Sequence, residues 1–100
     1  MTEKMTPSTG NVFEDVGFSR EEAENLKVRS TLMGKLRSII EEDGLTQARA
    51  AELFGVTQPR VSDLVRGRIQ LFSIDALVNM LGSAGRTVEV SVRSATNEAA

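Results

Sequence analysis

Cysteine and histidine are both absent from this chain of 100 residues. Without cysteine there is no disulfide framework, and without either residue there is no Cys/His zinc site. A nucleophile that is activated by histidine, as in many hydrolases, is excluded as well. No constellation of acid, base, nucleophile and metal ligands can be assembled from the remaining residues. The sequence therefore indicates a protein that is not an enzyme and that needs neither a metal nor another cofactor.

Aromatic residues are scarce, because the chain has four Phe and no Trp or Tyr. A core must therefore be built mainly from aliphatic side chains, and the length is sufficient for one domain but not for two. There is also no long apolar run. This absence predicts neither a signal peptide nor a membrane span, and a cytoplasmic protein is expected.

The net charge of −2 argues against nucleic acid, but the charges are distributed unevenly. Residues 45–70 contain four arginines against Glu52 and Asp63, which leaves this segment at +2 within an acidic chain. A contact with a polyanion is therefore expected within residues 45–70.

Capping signals predict a long first helix. Ser19 and Glu22 match a capping box, from which a helix can run to about Glu42 before Gly44 ends it. Gly34 within this helix costs roughly 1 kcal/mol relative to alanine and indicates that a neighbouring backbone packs close to it. The apolar residues recur at steps of three and four and predict one buried face: Leu26, Leu32, Met33, Leu36, Ile39 and Ile40.

Two short helices are expected next, each beginning after the dipeptide Thr-Gln. Thr46 can cap a helix over 47–54 that ends at Gly55, and Thr57 can cap a helix over 58–66 that Gly67 closes. Pro59 is tolerated because amides in the first turn of a helix have no partner within it.

The last two elements are predicted to be a helix and a strand. Ser73 is a cap and Gly82 a stop for the helix. Strict alternation then places Val88, Val90 and Val92 on one face of a strand. A lone strand is not stable in water, and the only other candidate in the chain is the weak apolar patch near Val12. We therefore expect the strand to pair with a second copy of the chain or with another protein.

The two short helices have the pattern of a helix-turn-helix. Small Ala50, turn-forming Gly55 and apolar Val56, Val61 and Leu64 have the spacing that lets two helices share a small core. The outward face of the second helix is polar, and such side chains can contact the edges of bases: Gln58, Pro59, Arg60, Ser62, Asp63 and Arg66.

Gln47 lies at the start of the first short helix, where free amides and the helix dipole favour a backbone phosphate. In the second helix Gln suits adenine, Arg suits guanine and Asp can accept from cytosine. For Arg60 a phosphate contact, or an ion pair with Asp63, is an alternative to base contact.

The stretch "LTQARAAELFGVTQPRVSDLVRGR" resembles the helix-turn-helix of the Cro and phage-repressor (XRE-type) family, over residues 36–81. The resemblance implies an all-α, lambda-repressor-like bundle that binds an inverted-repeat operator in double-stranded DNA as a homodimer. It also implies phosphate contact at Gln47 and base contact at 58, 59 and 63. Pro59 and acidic Asp63 depart from the Gln, Ser or Asn of many members, which shifts the expected base readout towards Gln58 and Arg60.

Together the residues and the resemblance predict three sets of contacts. Six residues are expected at bases: Thr57, Gln58, Pro59, Arg60, Ser62 and Asp63. Five are expected at phosphates: Thr46, Gln47, Arg66, Gly67 and Arg68. Three are expected at the dimer interface: Val88, Val90 and Val92. The alternative for these three is that they lie against the helices of their own chain.

The flanking segments are similar to those of small HigA-type antitoxins. That resemblance implies a repressor of its own operon that also binds a ribonuclease toxin. An apolar strip is the candidate toxin contact: Val12, Phe13, Val16 and Phe18. The alternative is that this N-terminal segment folds back onto the core of its own domain. A stand-alone regulator, or a helix-turn-helix that binds protein rather than DNA, are the alternatives.

The expected organisation is a flexible N-terminal tail with a short apolar patch (1–18), a helix-turn-helix domain (19–84), a dimerisation strand (85–93) and a disordered tail (94–100). The fold class is therefore all-α with a long N-terminal helix and one short C-terminal β-strand.

Overall fold

The computed structural model describes residues 11–94, and this part of the chain contains five α-helices and one short 3₁₀ helix. In chain order they are α1 (Val12–Asp15), α2 (Arg20–Glu42), α3 (Gln47–Phe54), α4 (Gln58–Val65), the 3₁₀ helix (Ile69–Leu71) and α5 (Ile74–Ser83). Helix α2 packs against α1 and α5, and α3 packs against α4 and α5. Residues 1–10 and 95–100 of the predicted tails lie outside the described residues.

Helix α2 begins and ends as predicted. The hydroxyl of Ser19 accepts a hydrogen bond from the amide of Glu22 at 3.1 Å, and Gly44 follows the helix with φ +60°. The close neighbour predicted for Gly34 is wrong, because nothing lies within 4 Å of a Cβ added there. Gly34 is therefore a weak point in the helix rather than a packing site.

Helices α2 to α5 enclose a single core of aliphatic and Phe side chains. Phe54, Phe72, Leu36, Leu64 and Leu77 are at its centre and almost completely buried. The remaining buried members come from the same helices: Leu32, Met33, Ile39, Ala50, Ala51, Val61, Met80 and Leu81. Phe72 enters this core directly after the 3₁₀ helix, and the chain then continues into α5.

Helix α5 starts at the predicted cap and ends later than predicted. The hydroxyl of Ser73 accepts from the amide of Ala76 at 3.1 Å. The stop predicted at Gly82 is wrong, since the helix continues to Ser83 and the left-handed residue is Gly85, with φ +78°. Glycine at 82 is compatible with a helix, at a cost in stability, and does not itself end one.

The C-terminal strand predicted over 85–93 is wrong, because no residue between 11 and 94 is in a β-strand. A strand needs the backbone of a neighbour, and the segment near Val12, the only candidate, forms helix α1 instead. Val88 packs on the core, whereas Val90 and Val92 are 81% and 91% exposed. The part of the chain that the structure describes is thus entirely helical apart from its loops.

In the same described range, no helix combines the length and the hydrophobicity that crossing a membrane requires.

Candidate nucleic-acid interface

Helices α3 and α4 form one compact unit around the turn at 55–57. Gly55 has φ +71°, and a Cβ there would lie 3.2 Å from Oγ of Ser83. The backbone conformation therefore favours glycine, and a Cβ would also press against the hydroxyl of Ser83. Ser83 also donates to the carbonyl of Leu53 at 2.8 Å, which ties α5 to the end of α3. Ala50 and Val61 are completely buried between the two helices, as the helix-turn-helix pattern predicts.

The start of α3 has the predicted cap. Oγ1 of Thr46 accepts from the amide of Arg49 at 3.1 Å. Gln47 is the first residue of the helix, and its side chain is exposed. The amides of the first two residues of the helix and an exposed amide side chain are thus available at this end, which is the arrangement that suits an anion.

The start of α4 differs from the prediction in one respect. Thr57 is the N-cap residue, but its hydroxyl accepts no capping hydrogen bond. Pro59 has no N–H to donate, and the amide of Arg60 already bonds to the carbonyl of Thr57 at 3.1 Å. The two donors that a threonine cap would use are therefore lost or occupied. Thr57 is exposed at the N-terminal end of α4.

The outward face of α4 agrees with the sequence prediction in part, and Val65 is exposed on this helix as well. Val61 and Leu64 are completely buried, whereas Gln58 and Pro59 are exposed. Ser62 and Asp63 are partly buried, along the border between the two faces. The residues expected at bases, apart from Arg60, therefore present polar or open surface to solvent.

Arg60 points away from that open surface. Its Nη1 donates to the carbonyl of Leu71 at 2.9 Å, and its guanidinium lies over the ring of Phe72 at 4.1 Å from the centroid. The ion pair with Asp63 that was an alternative for Arg60 does not occur among residues 11–94; Asp63 lies 3.9 Å from Nε of Arg68 instead. In this conformation Arg60 links α4 to the segment that follows it.

The segment after α4 is basic and exposed. Arg66, Gly67 and Arg68 all lie on the surface, and Gly67 has φ +74°. Arg68 is about half exposed, so its contact with Asp63 is weak and leaves it accessible to a phosphate. Arg37 of α2 lies next to this loop, because a Cβ added to Gly67 would be 3.6 Å from its Nη1.

Arg29 and Arg37 belong to none of the sets of contacts predicted from the sequence. Arg29 of α2 donates from Nη1 to the carbonyls of Ile69 and Phe72, at 3.1 and 3.4 Å. Both arginines are four residues from buried Met33, one on each side, so helical spacing places them at the edge of the buried face. This spacing is the only sign in the sequence that the two arginines lie near the core. Which segment each arginine contacts is visible only in the folded structure.

The apolar sets expected at protein partners lie elsewhere on the molecule. Helix α1 packs on α2, and Asn11 caps it while donating to Glu24 at 3.2 Å. Val12, Val16 and Phe18 are 62%, 67% and 44% exposed. Phe13 is partly buried and meets the ring of Phe18 in an edge contact, with 6.4 Å between centroids. The segment 11–18 is thus a folded part of the domain surface.

Comparison with known proteins agrees with this geometry. A family model described as a helix-turn-helix domain matches residues 12–93. A solved structure described as an XRE family transcriptional regulator is 32% identical, with a TM-score of 0.67. That similarity covers 73% of this chain and 82% of the other. No curated protein matches.

Proposed function

The chain belongs to the XRE family of helix-turn-helix proteins, and we propose that it is a sequence-specific DNA-binding transcriptional repressor. One observation carries the proposal: exposed glutamines open both helices of the motif, and exposed arginines follow it. The residues concerned are Gln47, Gln58, Arg66 and Arg68. The local charge of +2 over residues 45–70 supports a polyanion at this surface despite the acidic total.

In the proposed complex, α4 lies in the major groove and the residues around it divide into two roles. Gln58, Ser62 and Asp63 contact base edges, with Thr57 and Pro59 beside them at the end of the helix. Thr46, Gln47, Arg66, Gly67 and Arg68 hold the phosphates on either side and fix the register. Arg60 contributes to base contact only if its guanidinium leaves Leu71 and Phe72.

Repression requires that the protein occupy a promoter for long enough, which two linked helices achieve better than one. We propose a homodimer whose two copies of α4 read an inverted repeat, with half-sites one helical turn apart. The supporting feature is the pair Val90 and Val92, whose exposure leaves apolar surface for a second copy to cover. Val88 packs on the core of its own chain and would position that segment.

Selection of bound duplexes from a randomised DNA pool at near-physiological salt tests the proposal. We expect enrichment of an inverted repeat with half-sites about 10 base pairs apart. A Gln58→Ala variant should lose preference at one base pair in each half-site, worth about 1–3 kcal/mol. Asn79→Ala is the matched control, because it removes an exposed amide from α5. Random recovery with the unmodified chain would contradict sequence-specific binding.

The finer proposal is that the repressor is the antitoxin of a toxin–antitoxin pair and also binds a ribonuclease. The supporting observation is the exposed apolar strip of Val12, Val16 and Phe18, which is separate in sequence from the motif. If the protein encoded beside it arrests growth, co-expression of this chain should restore growth. Val16→Asp should abolish the rescue while DNA binding persists. Rescue by Val16→Asp at full strength would argue against this strip.

A second candidate function is a protein-interaction module that uses the same fold without DNA. It is favoured by the net charge of −2 and by the acidic Asp63 within the proposed reading face. Random recovery in the duplex selection, together with an affinity for DNA that does not change with salt, would support this second function.

A further inference from the structure

A surface cavity of about 470 Å³ lies where α2, the 3₁₀ helix and the start of α5 meet. Two arginines line it from different elements, Arg29 from α2 and Arg60 from α4. Polar Asn25, Gln70 and Ser73 also line it, together with the apolar residues Leu71, Phe72, Ile74 and Ala76. No role in the proposed DNA contact accounts for Arg29.

Both guanidinium groups are held in place by uncharged partners. Arg29 donates from Nε to Oδ1 of Asn25 at 2.7 Å and from Nη1 to two carbonyls of the 69–72 segment. Arg60 donates from Nη1 to the carbonyl of Leu71 and stacks on buried Phe72. The two side chains are thus fixed by neighbouring carbonyls of one short segment, and their positions are set before any ligand arrives.

The charges of these arginines are not balanced locally. Among residues 11–94, no carboxylate forms an ion pair with either guanidinium. The Nη2 atoms of both arginines also donate to no other residue in that range, so N–H groups remain available. Asp75, the acidic residue in the first turn of α5, does not line the cavity. Two positive charges that line one cavity and keep spare donors favour an anion with several oxygens.

We propose that this cavity binds one phosphate group, held between Arg29 and Arg60. Arg60 belongs to the first turn of α4, so the cavity lies next to the surface that would face DNA. The phosphate comes either from the DNA backbone, which extends the contact beyond residues 46–68, or from a free phosphate or phosphorylated small molecule. The first source rests on the proposed function, and the second does not.

The first arm of the test uses the full chain without DNA. The Nε–H signals of the arginines are followed by NMR while inorganic phosphate replaces chloride at constant ionic strength. We expect saturable shifts for Arg29 and Arg60, and only small linear shifts for the exposed Arg20 and Arg86, which serve as internal controls. Linear shifts for all four arginines overturn the proposal, whatever any variant does.

The second arm identifies the source of the phosphate. It compares the salt dependence of DNA affinity for the unmodified chain, Arg29→Gln and Lys27→Gln. Lys27→Gln is the control, because this substitution removes the same charge from the same helix, and Lys27 does not line the cavity. With phosphate saturation established, a slope that is shallower by about 0.9 for Arg29→Gln alone assigns the phosphate to DNA. An unchanged slope assigns it to a free ligand.

A conservative variant and two combinations of results separate the cavity proposal from the proposed function. Arg29→Lys retains the charge but loses the fork of N–H donors. It should therefore hold the 69–72 segment less firmly, while the salt dependence of DNA affinity stays close to that of the unmodified chain. If no duplex is enriched but phosphate saturates, the proposed function fails and the cavity remains a site for a free phosphate. If a duplex is enriched and phosphate does not saturate, the cavity proposal alone fails.

Discussion

The side chain of Arg60 shows how far a residue's chemistry depends on its tertiary neighbours. Its sequence position, in the first turn of α4, suits contact with a base, but its guanidinium lies on Phe72 and bonds to Leu71. A residue in this conformation contributes to stability in the free protein. Any contact with DNA bases has to compete with those two interactions.

Arg60→Ala should therefore lower the free energy of unfolding by roughly 1 kcal/mol, from the lost stacking and the lost hydrogen bond. If Arg60 also reads a base, specificity at one base pair should relax by about 1–3 kcal/mol. Urea unfolding and binding to single-base variants of the enriched duplex measure the two effects separately.

Arg68→Ala is the matched comparison for Arg60→Ala, because Arg68 is about half exposed and has only a 3.9 Å contact with Asp63. The free energy of unfolding of Arg68→Ala should differ from that of the unmodified chain by less than about 0.5 kcal/mol. Its DNA affinity should fall uniformly across sequences with a shallower salt slope. Equal stability of the two variants would show that the contacts of Arg60 with Phe72 and Leu71 carry no weight.

At the scale of elements, the two Thr-Gln pairs are not equivalent although they are identical in sequence. Thr46 caps α3 with its side chain, and Thr57 occupies the same position at α4 without doing so. Thr46 accepts from the amide of Arg49, whereas the corresponding amide in α4, that of Arg60, bonds to the carbonyl of Thr57, and Pro59 has no N–H to offer in its place.

Thr46→Ala should consequently cost about 1 kcal/mol of stability, the usual value for a lost cap. Thr57→Ala should cost only a few tenths of that, since no capping bond is lost. Thermal or urea unfolding of both variants under the same conditions provides the comparison. A larger loss for Thr57→Ala would contradict the cap assignments.

Two glycines give a second comparison. Gly34 has helical geometry with open space around it, so Gly34→Ala should stabilise the protein by up to about 1 kcal/mol. Gly55→Ala should destabilise it, because φ is +71° and Oγ of Ser83 lies 3.2 Å from the new Cβ. Unfolding midpoints that shift in the same direction for both variants would contradict this reading of the backbone.

The helices were predictable from sequence because their signals are local. Capping by Ser19, Thr46 and Ser73 and the buried positions Val61 and Leu64 depend on residues within a few positions of one another, and all are confirmed. The strand was not predictable in the same way. Alternation shows that Val88, Val90 and Val92 would share one face of a strand, but a strand forms only if another backbone pairs with it.

The candidate site was predictable to a similar limit. Periodicity placed Gln58 on the exposed side of α4, and the structure agrees. The orientation of Arg60 and the contact of Arg29 with the 69–72 segment join residues that are 11 and about 40 positions apart. No local pattern encodes such contacts, because they depend on how α2 and α4 pack around Phe72.

At the scale of the whole molecule, the described surface carries a basic segment and exposed apolar residues, which include Val28, Val65 and Leu71 as well as residues near both ends of the chain. Val12, Val16 and Phe18 lie near one end of the chain, and Val90 and Val92 near the other. Exposed apolar residues are common singly, but clusters mark contacts with other molecules. Helix-turn-helix dimers need one such surface in addition to the DNA face.

Replacing both Val90 and Val92 with Ser should weaken the proposed dimer without unfolding the domain, because these side chains are already exposed. Each buried valine is worth roughly 1.5 kcal/mol, so the dissociation constant of the dimer should rise by at least about tenfold. Sedimentation equilibrium over a concentration series measures it. Val28→Ser, on an exposed part of α2, is the control. An identical constant for all three proteins would place the dimer contact elsewhere.

The most direct measurement of the central claim is an NMR titration of the full chain with the enriched duplex, following every backbone amide. We expect the largest shifts at residues 46–48, 57–63 and 66–68, with little change at 11–18. Equal shifts over the whole chain, or shifts confined to 11–18 and 86–93, would show that the face formed by α3 and α4 is not where this protein meets DNA.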